Sequence, residues 1–175
     1  MIQEKLDKVI RTIPNFPKQG IDFKDITSLL LDPFIIDEII SSFLVKLEKV
    51  NCDAVVGIES RGFLFGFLLA NRLKVPFVPI RKVGKLPGKT LKFKYDLEYG
   101  SAEVEIHKKD VKKGWNLIIH DDLLATGGTA VAASELVSEL NANVSAYTFV
   151  IELGFLKGSE KLRKYSNNII SLTTY

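Results

Sequence analysis

Between Ile118 and Ala130 the chain reads Ile-Ile-His-Asp-Asp-Leu-Leu-Ala-Thr-Gly-Gly-Thr-Ala, and no other run constrains the fold as tightly. Asn116 to Ile119 is the apolar, β-branched kind of strand that is buried on both faces, and Thr129 to Leu140 has the composition of a helix. A buried strand running through a short turn into a helix is the repeating unit of a parallel sheet covered by helices. The rest of the chain repeats it. Ala54 to Ile58 predicts a strand, and Phe63 to Leu73, after a turn at Gly62, predicts a helix. Pro76 to Ile80 predicts the next strand, Leu91 to Tyr95 and Ala102 to Ile106 the arms of a hairpin, and Val144 to Ile151 a further strand. Asp32 and Pro33 supply a cap and a first-turn proline for a helix reaching about Val50. At the N-terminus Ile2, Leu6, Val9, Ile10 and Ile13 are spaced along one helix face, and Pro14 to Gly20 is a loop because its two prolines lack the backbone donor. The expectation is an α/β fold with a mostly parallel central sheet and flanking helices. It forms a single domain, with an N-terminal extension over residues 1–32 and a core over 33–175. Ligands of such sheets lie beyond the carboxyl ends of the strands, which singles out the turns after Ile58, Ile80 and Ile119.

Composition narrows the function classes. An apolar fraction of 46% with 26% charged residues excludes disordered, collagen-like and disulfide-rich chains. A net charge of +3 is too small to imply a nucleic-acid partner, and charges interrupt the N-terminal apolar residues, so neither a signal peptide nor a membrane span is expected. Cys52 is the only cysteine; it reads as a small buried residue, and the cytosol is the expected compartment. The basic residues are uneven. Arg81, Lys82, Lys85, Lys89, Lys92 and Lys94 follow one another with no acid among them. Alone, such a run is a solvated face.

The turn after Ile119 has a chemistry of its own. The N-terminus of a helix presents unpaired N–H groups and a partial positive charge, and Gly127 and Gly128 let backbone approach an anion without side-chain obstruction. Thr126 and Thr129 add hydroxyl donors, so residues 125 to 129 make a phosphate cradle. No lysine follows the glycines, which separates it from the loop of triphosphate hydrolases. Asp121 and Asp122 would repel a phosphate, whereas an ionised carboxylate accepts hydrogen bonds from vicinal sugar hydroxyls. A ribose 5-phosphate satisfies both halves of the loop. The alternative is that the acids merely cap the next helix.

This stretch resembles the phosphoribosyl pyrophosphate motif of the type I phosphoribosyltransferases. The likeness extends through Asn15-Phe16-Pro17, Gly20 to Thr27, Gly57 to Phe63, Ile80-Arg81-Lys82, Gly84 to Gly88 and Leu97-Glu98-Tyr99-Gly100, segments that together resemble the family's adenine-using members. The resemblance implies transfer of phosphoribose from its pyrophosphate to adenine, giving AMP and pyrophosphate. It implies that Ala125, Thr126, Gly127, Gly128 and Thr129 hold the 5-phosphate and that Asp121 and Asp122 hold the ribose hydroxyls. Ser60, Arg61, Arg81, Lys82 and Lys85 would face pyrophosphate, through an unusual backbone geometry at Glu59-Ser60. Adenine would lie between Phe23 and Leu123, near Lys24, with the backbone of Ile21 and Asp22 reading its edge. Glu98 would manage the purine proton, and Val83 to Tyr99 would act as a lid. Mg²⁺ is implied, carried by substrate phosphates and water rather than by a protein cage. A homodimer is implied too, with no nucleic-acid or membrane partner. Lys24, Val83 and His120 depart from the residues usual in relatives, and His120 reads as a strand residue paired to a neighbour. Lys89, Lys92 and Lys94 match nothing and stay a solvated face. Rival readings are an enzyme of oxopurines and a regulator that senses phosphoribosyl pyrophosphate. The second would want a DNA-binding module, and residues before Pro33 are already occupied.

Overall fold

The first helix stops earlier than its apolar spacing predicts. The residue before a proline is biased away from helical backbone, and the helix expected as far as Ile13 is confined to α1, Ile2–Val9. Arg11–Ile13 instead forms strand β1, antiparallel to β2, Phe23–Asp25, with Thr12 opposite Lys24. Ile13 is therefore 40% exposed and takes no part in a helix face. The computed structural model describes residues 2–97 and 100–175, Asp96 and Leu97 by their backbone alone.

Two aspartates punctuate the next stretch. Asp25 accepts the N–H of Thr27 at 2.9 Å and starts a 3-10 turn, Ile26–Leu31. Asp32 accepts from Phe34 at 2.9 Å and Ile35 at 3.3 Å and opens α2, Pro33–Lys46, with the proline in the first turn. Such a cap is worth about 1 kcal/mol. Helix α2 stops short of Val50, where Leu47 enters the core and the Val50 N–H turns back to the Leu47 carbonyl at 2.8 Å.

The core then alternates as expected: β3 Ala54–Ile58, α3 Gly62–Leu73, β4 Phe77–Lys82, the hairpin β5 Thr90–Leu97 and β6 Gly100–His107, β7 Asn116–Leu124, α4 Gly128–Glu139 and β8 Asn143–Glu152. The periodicity did not predict α5, Gly158–Leu162, or β9, Ile169–Thr174. Strand order across the sheet is β5-β6-β4-β3-β7-β8-β9. From β4 to β9 all pairings are parallel, and the hairpin joins the β4 edge antiparallel.

Consecutive strand residues face opposite layers. Val56 and Ile119 pack with Ala133, Leu136 and Val137 of α4 and with Leu162 of α5. Val55 and Ile118 pack with Leu6 of α1, Ile39 and Phe43 of α2, and Phe65 and Leu69 of α3. Burial on both faces is why these strands read as continuous apolar runs. Cys52 is half-buried rather than buried, donates to the Ala54 carbonyl at 3.4 Å, and is pushed up to about 11 by desolvation. Among the described residues no helix is long and apolar enough to cross a membrane.

The expected strand end at Ile119 needs correction. β7 runs on through His120, Asp121 and Asp122 to Leu124, paired with β8 as far as Leu124 opposite Glu152. Both acids thus sit on rigid sheet, at the carboxyl end of a central strand, with only Ala125 to Gly127 left as turn before α4.

Candidate active site

The carboxyl ends of β3, β4 and β7 enclose a cleft of about 470 Å³. Ser60 and Arg61 enter it from the turn after β3, Arg81, Lys82 and Lys85 from the end of β4 and its loop, and Asp121, Asp122 and Thr129 from β7 and α4. A smaller concavity of about 80 Å³ adjoins it, formed by residues 123 to 130 with Asp121. The cleft and the concavity beside it therefore bring together the residues that sequence reasoning proposed for sugar, phosphate and pyrophosphate.

The small concavity is made of backbone. Gly127 has φ +79°, a conformation that favours glycine, and its carbonyl accepts the Val131 N–H at 2.9 Å, so α4 begins there with no side chain capping its first turn. The position of this turn is fixed by a residue that sequence reasoning missed. A Cβ on Gly158 would lie 2.2 Å from the Ala125 carbonyl oxygen, and one on Gly127 would lie 2.8 Å from the Gly158 carbonyl oxygen. The cradle thus rests directly on the first residue of α5. The only local signal was a glycine after Lys157, with nothing to say what it meets.

The two acids differ in environment. Asp122 is buried and receives the Arg61 Nε at 2.7 Å. Asp121 accepts the Asp122 N–H at 2.9 Å, and its Oδ1 lies where a Cβ on Gly62 would come within 2.9 Å, so only a glycine there admits it. Desolvation raises the Asp121 carboxyl well above the usual carboxylate range; the charge of Asp122 adds to this and Arg61 opposes it.

On the cationic wall, Arg81 is itself braced. Its Nη2 donates to Glu59 Oε1 at 2.8 Å and its Nη1 to the Lys85 carbonyl at 3.2 Å, while Glu59 Oε2 accepts the Lys82 N–H at 3.0 Å. The Arg81 guanidinium holds Glu59 below the usual carboxylate range. Lys82 and Lys85 make no ion pair among the described residues. The Glu59–Ser60 peptide is cis, the unusual geometry expected there.

Phe23 connects to the cleft through Arg61, whose guanidinium lies 5.8 Å from its ring centroid; Phe16 packs edge-on against Phe23 at 5.2 Å. Leu123 lines the small concavity, and Ile21 and Asp22 are exposed in the loop before β2. Lys24 is directed elsewhere: its ammonium donates to Thr12 at 3.0 Å and stands 4.1 Å from the Tyr175 ring centroid. Strand alternation explains this, because Phe23 and Lys24 leave opposite faces of β2. His120 is buried with Nδ1 2.9 Å from the Thr148 hydroxyl, paired to a neighbour as expected. Sequence reasoning also missed Tyr95, which lines the cleft with its hydroxyl 3.3 Å from that of Thr129. It continues the alternation of Leu91 and Phe93, which pack against the core, in a stretch that sequence reasoning read only as a hairpin arm. Glu98 and Tyr99 lie outside the described residues.

The model of the phosphoribosyl transferase domain matches residues 29–173. The chain is 47% identical over 171 residues to the adenine phosphoribosyltransferase of Christiangramia forsetii, covering 98% of this chain and 99% of that one. Its structure resembles that of adenine phosphoribosyltransferase from Thermoanaerobacter pseudethanolicus, with a TM-score of 0.94, 48% identity and 99% of each chain covered. It also resembles the enzyme from Saccharomyces cerevisiae, solved in complex with an imino-altritol bisphosphate and adenine. There the TM-score is 0.90 at 46% identity, over 97% of this chain and 96% of that one.

Proposed function

The chain belongs to the phosphoribosyl transferase family, and on that premise we propose how its own residues divide the work of the reaction. The activity is adenine phosphoribosyl transfer: adenine and 5-phosphoribosyl 1-pyrophosphate give AMP and pyrophosphate, a purine salvage step. The observation that carries the assignment of roles is the backbone cradle at the start of α4, set beside two acids on β7 and facing a cationic wall. Amides of residues 125 to 129 and the hydroxyls of Thr126 and Thr129 hold the 5-phosphate, an anion at a helix N-terminus. Asp121 and Asp122 accept from the ribose hydroxyls. The negative charge of Asp122 also lies beside the sugar as positive charge develops on it, where a prearranged field lowers the barrier. Ser60, Arg61, Arg81, Lys82 and Lys85 receive pyrophosphate. Arg61 has a second use, since it spans from the Asp122 carboxylate to the Phe23 ring and so joins the sugar and base subsites. Adenine stacks on Phe23 against Leu123, with Ile21 and Asp22 backbone at its edge. The β5–β6 hairpin lid excludes water that would otherwise capture the sugar.

No group of three or more metal-ligating side chains occurs among the described residues. The oxygen donors that face the cleft, Asp121 and Asp122, suit a hard cation reached through water. Mg²⁺ fits there on the phosphates of the substrate, and when bound it neutralises charge on the leaving pyrophosphate. A homodimer is part of the proposal. Leu64, Phe67 and Leu68, at 40%, 57% and 38% exposure, make an apolar stripe on α3, and sedimentation at twice the 19.6 kDa chain mass checks it. The reaction is assigned to the cytosol, where a lone thiol such as Cys52 stays reduced.

Formation of AMP from adenine, phosphoribosyl pyrophosphate and Mg²⁺ tests the reading, and turnover of oxopurines alone overturns the base assignment. Glu98→Gln is expected to lower kcat by about 10²- to 10⁴-fold, the usual worth of general acid–base help. KM for phosphoribosyl pyrophosphate should stay near its original value. Unchanged turnover removes Glu98 from the mechanism.

A further inference from the structure

Glu105 is a buried acid in an apolar stretch of β6, 2% exposed between Val104 and Ile106, and nothing in the reaction so far uses it. It lies opposite Arg81 on β4 and Lys92 on β5. Burying a carboxylate is costly unless hydrogen bonds replace its water. Both of its oxygens are engaged. Oε1 accepts the Lys85 N–H at 3.0 Å and the Leu86 N–H at 2.9 Å, and Oε2 accepts the Thr90 hydroxyl at 2.9 Å. Burial pushes its carboxyl up, but the bonds from Leu86, Thr90, Lys85 and Gly84 outweigh this and hold it below the usual range. The segment from Gly84 to Thr90 is therefore wrapped around a fixed anion. At its start the same segment is held by Glu59, through Arg81 and the Lys82 N–H.

Glu105 does not line the reaction cleft. It borders a separate cavity of about 420 Å³ behind the loop, while Lys85 stands on the cleft wall. The carboxylate thus acts on the cleft only through the backbone that it grips. We propose that Glu105 is a positioning residue for phosphoribosyl transfer: by anchoring the Lys85 and Leu86 amides and the Thr90 hydroxyl, it holds the Lys85 ammonium toward the pyrophosphate subsite. This deepens the assignment of Lys85 given above and rests on it.

The test measures calorimetric affinity for pyrophosphate, together with KM for adenine and for phosphoribosyl pyrophosphate, in the full chain, Glu105→Gln, Glu105→Ala, Lys85→Ala and the double variant Glu105→Ala/Lys85→Ala. Pyrophosphate affinity should fall by roughly 10- to 100-fold in Glu105→Ala, the scale on which small misplacements act. KM for adenine should stay within about twofold, because among the described residues β1 and β2 share no hydrogen bond with this loop. In the Lys85→Ala background, Glu105→Ala should cost nothing further, as expected of two residues acting as one. Glu105→Gln keeps the shape and one acceptor but loses charge-assisted bonds about twice as strong as neutral ones, so affinity should fall about threefold or more. If Glu105→Ala does not fold, Glu105→Gln decides alone. Unchanged pyrophosphate affinity in a folded variant overturns the proposal, as do penalties at Glu105 and Lys85 that simply add or a matching loss of adenine affinity. A parent chain that forms no AMP sinks the activity instead, and the two failures are told apart by that control.

Discussion

Gly158→Ala should lower kcat/KM for phosphoribosyl pyrophosphate by roughly 100-fold, although residue 158 would touch no substrate. The new methyl would sit 2.2 Å from the Ala125 carbonyl oxygen and 3.0 Å from the Gly127 nitrogen, both backbone atoms of the cradle. Neither can swing aside as a side chain end would, so the cradle or the start of α5 must move by about an ångström, a shift that costs on the order of 10²-fold in a positioned site. KM for adenine should change little, since the base site proposed above centres on Phe23, away from the Gly158 contact. Gly154→Ala is the matched control: its methyl would come within 3.0 Å only of a Thr174 side-chain methyl, which can yield. Equal kinetics for the two alanine variants, both folded by circular dichroism, would mean that the cradle does not depend on its contact with α5.

That example marks where sequence reading runs out. The strand, turn and helix around residues 118 to 130 were legible because buried runs, glycines and helix starts are local signals, and the cap at Asp32 was legible for the same reason. Partners distant in the chain were not. Gly158 matters only because the fold brings it against Ala125, and Glu105 reads as an ordinary polar residue of an alternating strand until the loop closes over it. The strand end at Ile119 was misplaced because Asp disfavours strands by propensity, whereas pairing with β8 carries β7 on to Leu124. Lys24 shows the opposite limit. Its motif position was clear, but strand parity sends its ammonium to Thr12 and Tyr175. Helix α5 is too short for periodicity to be informative, and Ser171, Thr173 and Thr174 break the apolar run of β9, so packing against β8 and the cradle defines them.

His120 should make the protein acid-sensitive above the range where carboxylates titrate. Its ring is fully buried, edge-on to Phe43 at 5.7 Å and against α3 at Gly66; Nδ1 faces the Thr148 hydroxyl, and Nε2 has no partner among the described residues. Desolvation lowers its pKa to about 3 from 6.5, only partly opposed by the bond at Thr148. Below pH 6.5 the unfolded chain therefore takes up a proton that the folded chain refuses until about pH 3. Stability is complete above 6.5 and declines as pH falls through that window, approaching about 1.4 kcal/mol per pH unit. Asp121 works with the opposite sign, because its raised pKa gives stability that is lost as pH rises, so the whole-protein curve mixes the two. A difference measurement separates them. Denaturant unfolding of the parent chain and of His120→Leu from pH 4.5 to 8 should give a constant offset above pH 6.5, set by lost packing and the orphaned Thr148 hydroxyl. Below that pH the parent chain should lose ground to the variant by about 3 kcal/mol at pH 4.5. Curves that stay parallel throughout would require the buried imidazole to accept a proton readily, and no carboxylate is placed to receive its charge among the groups that touch the ring.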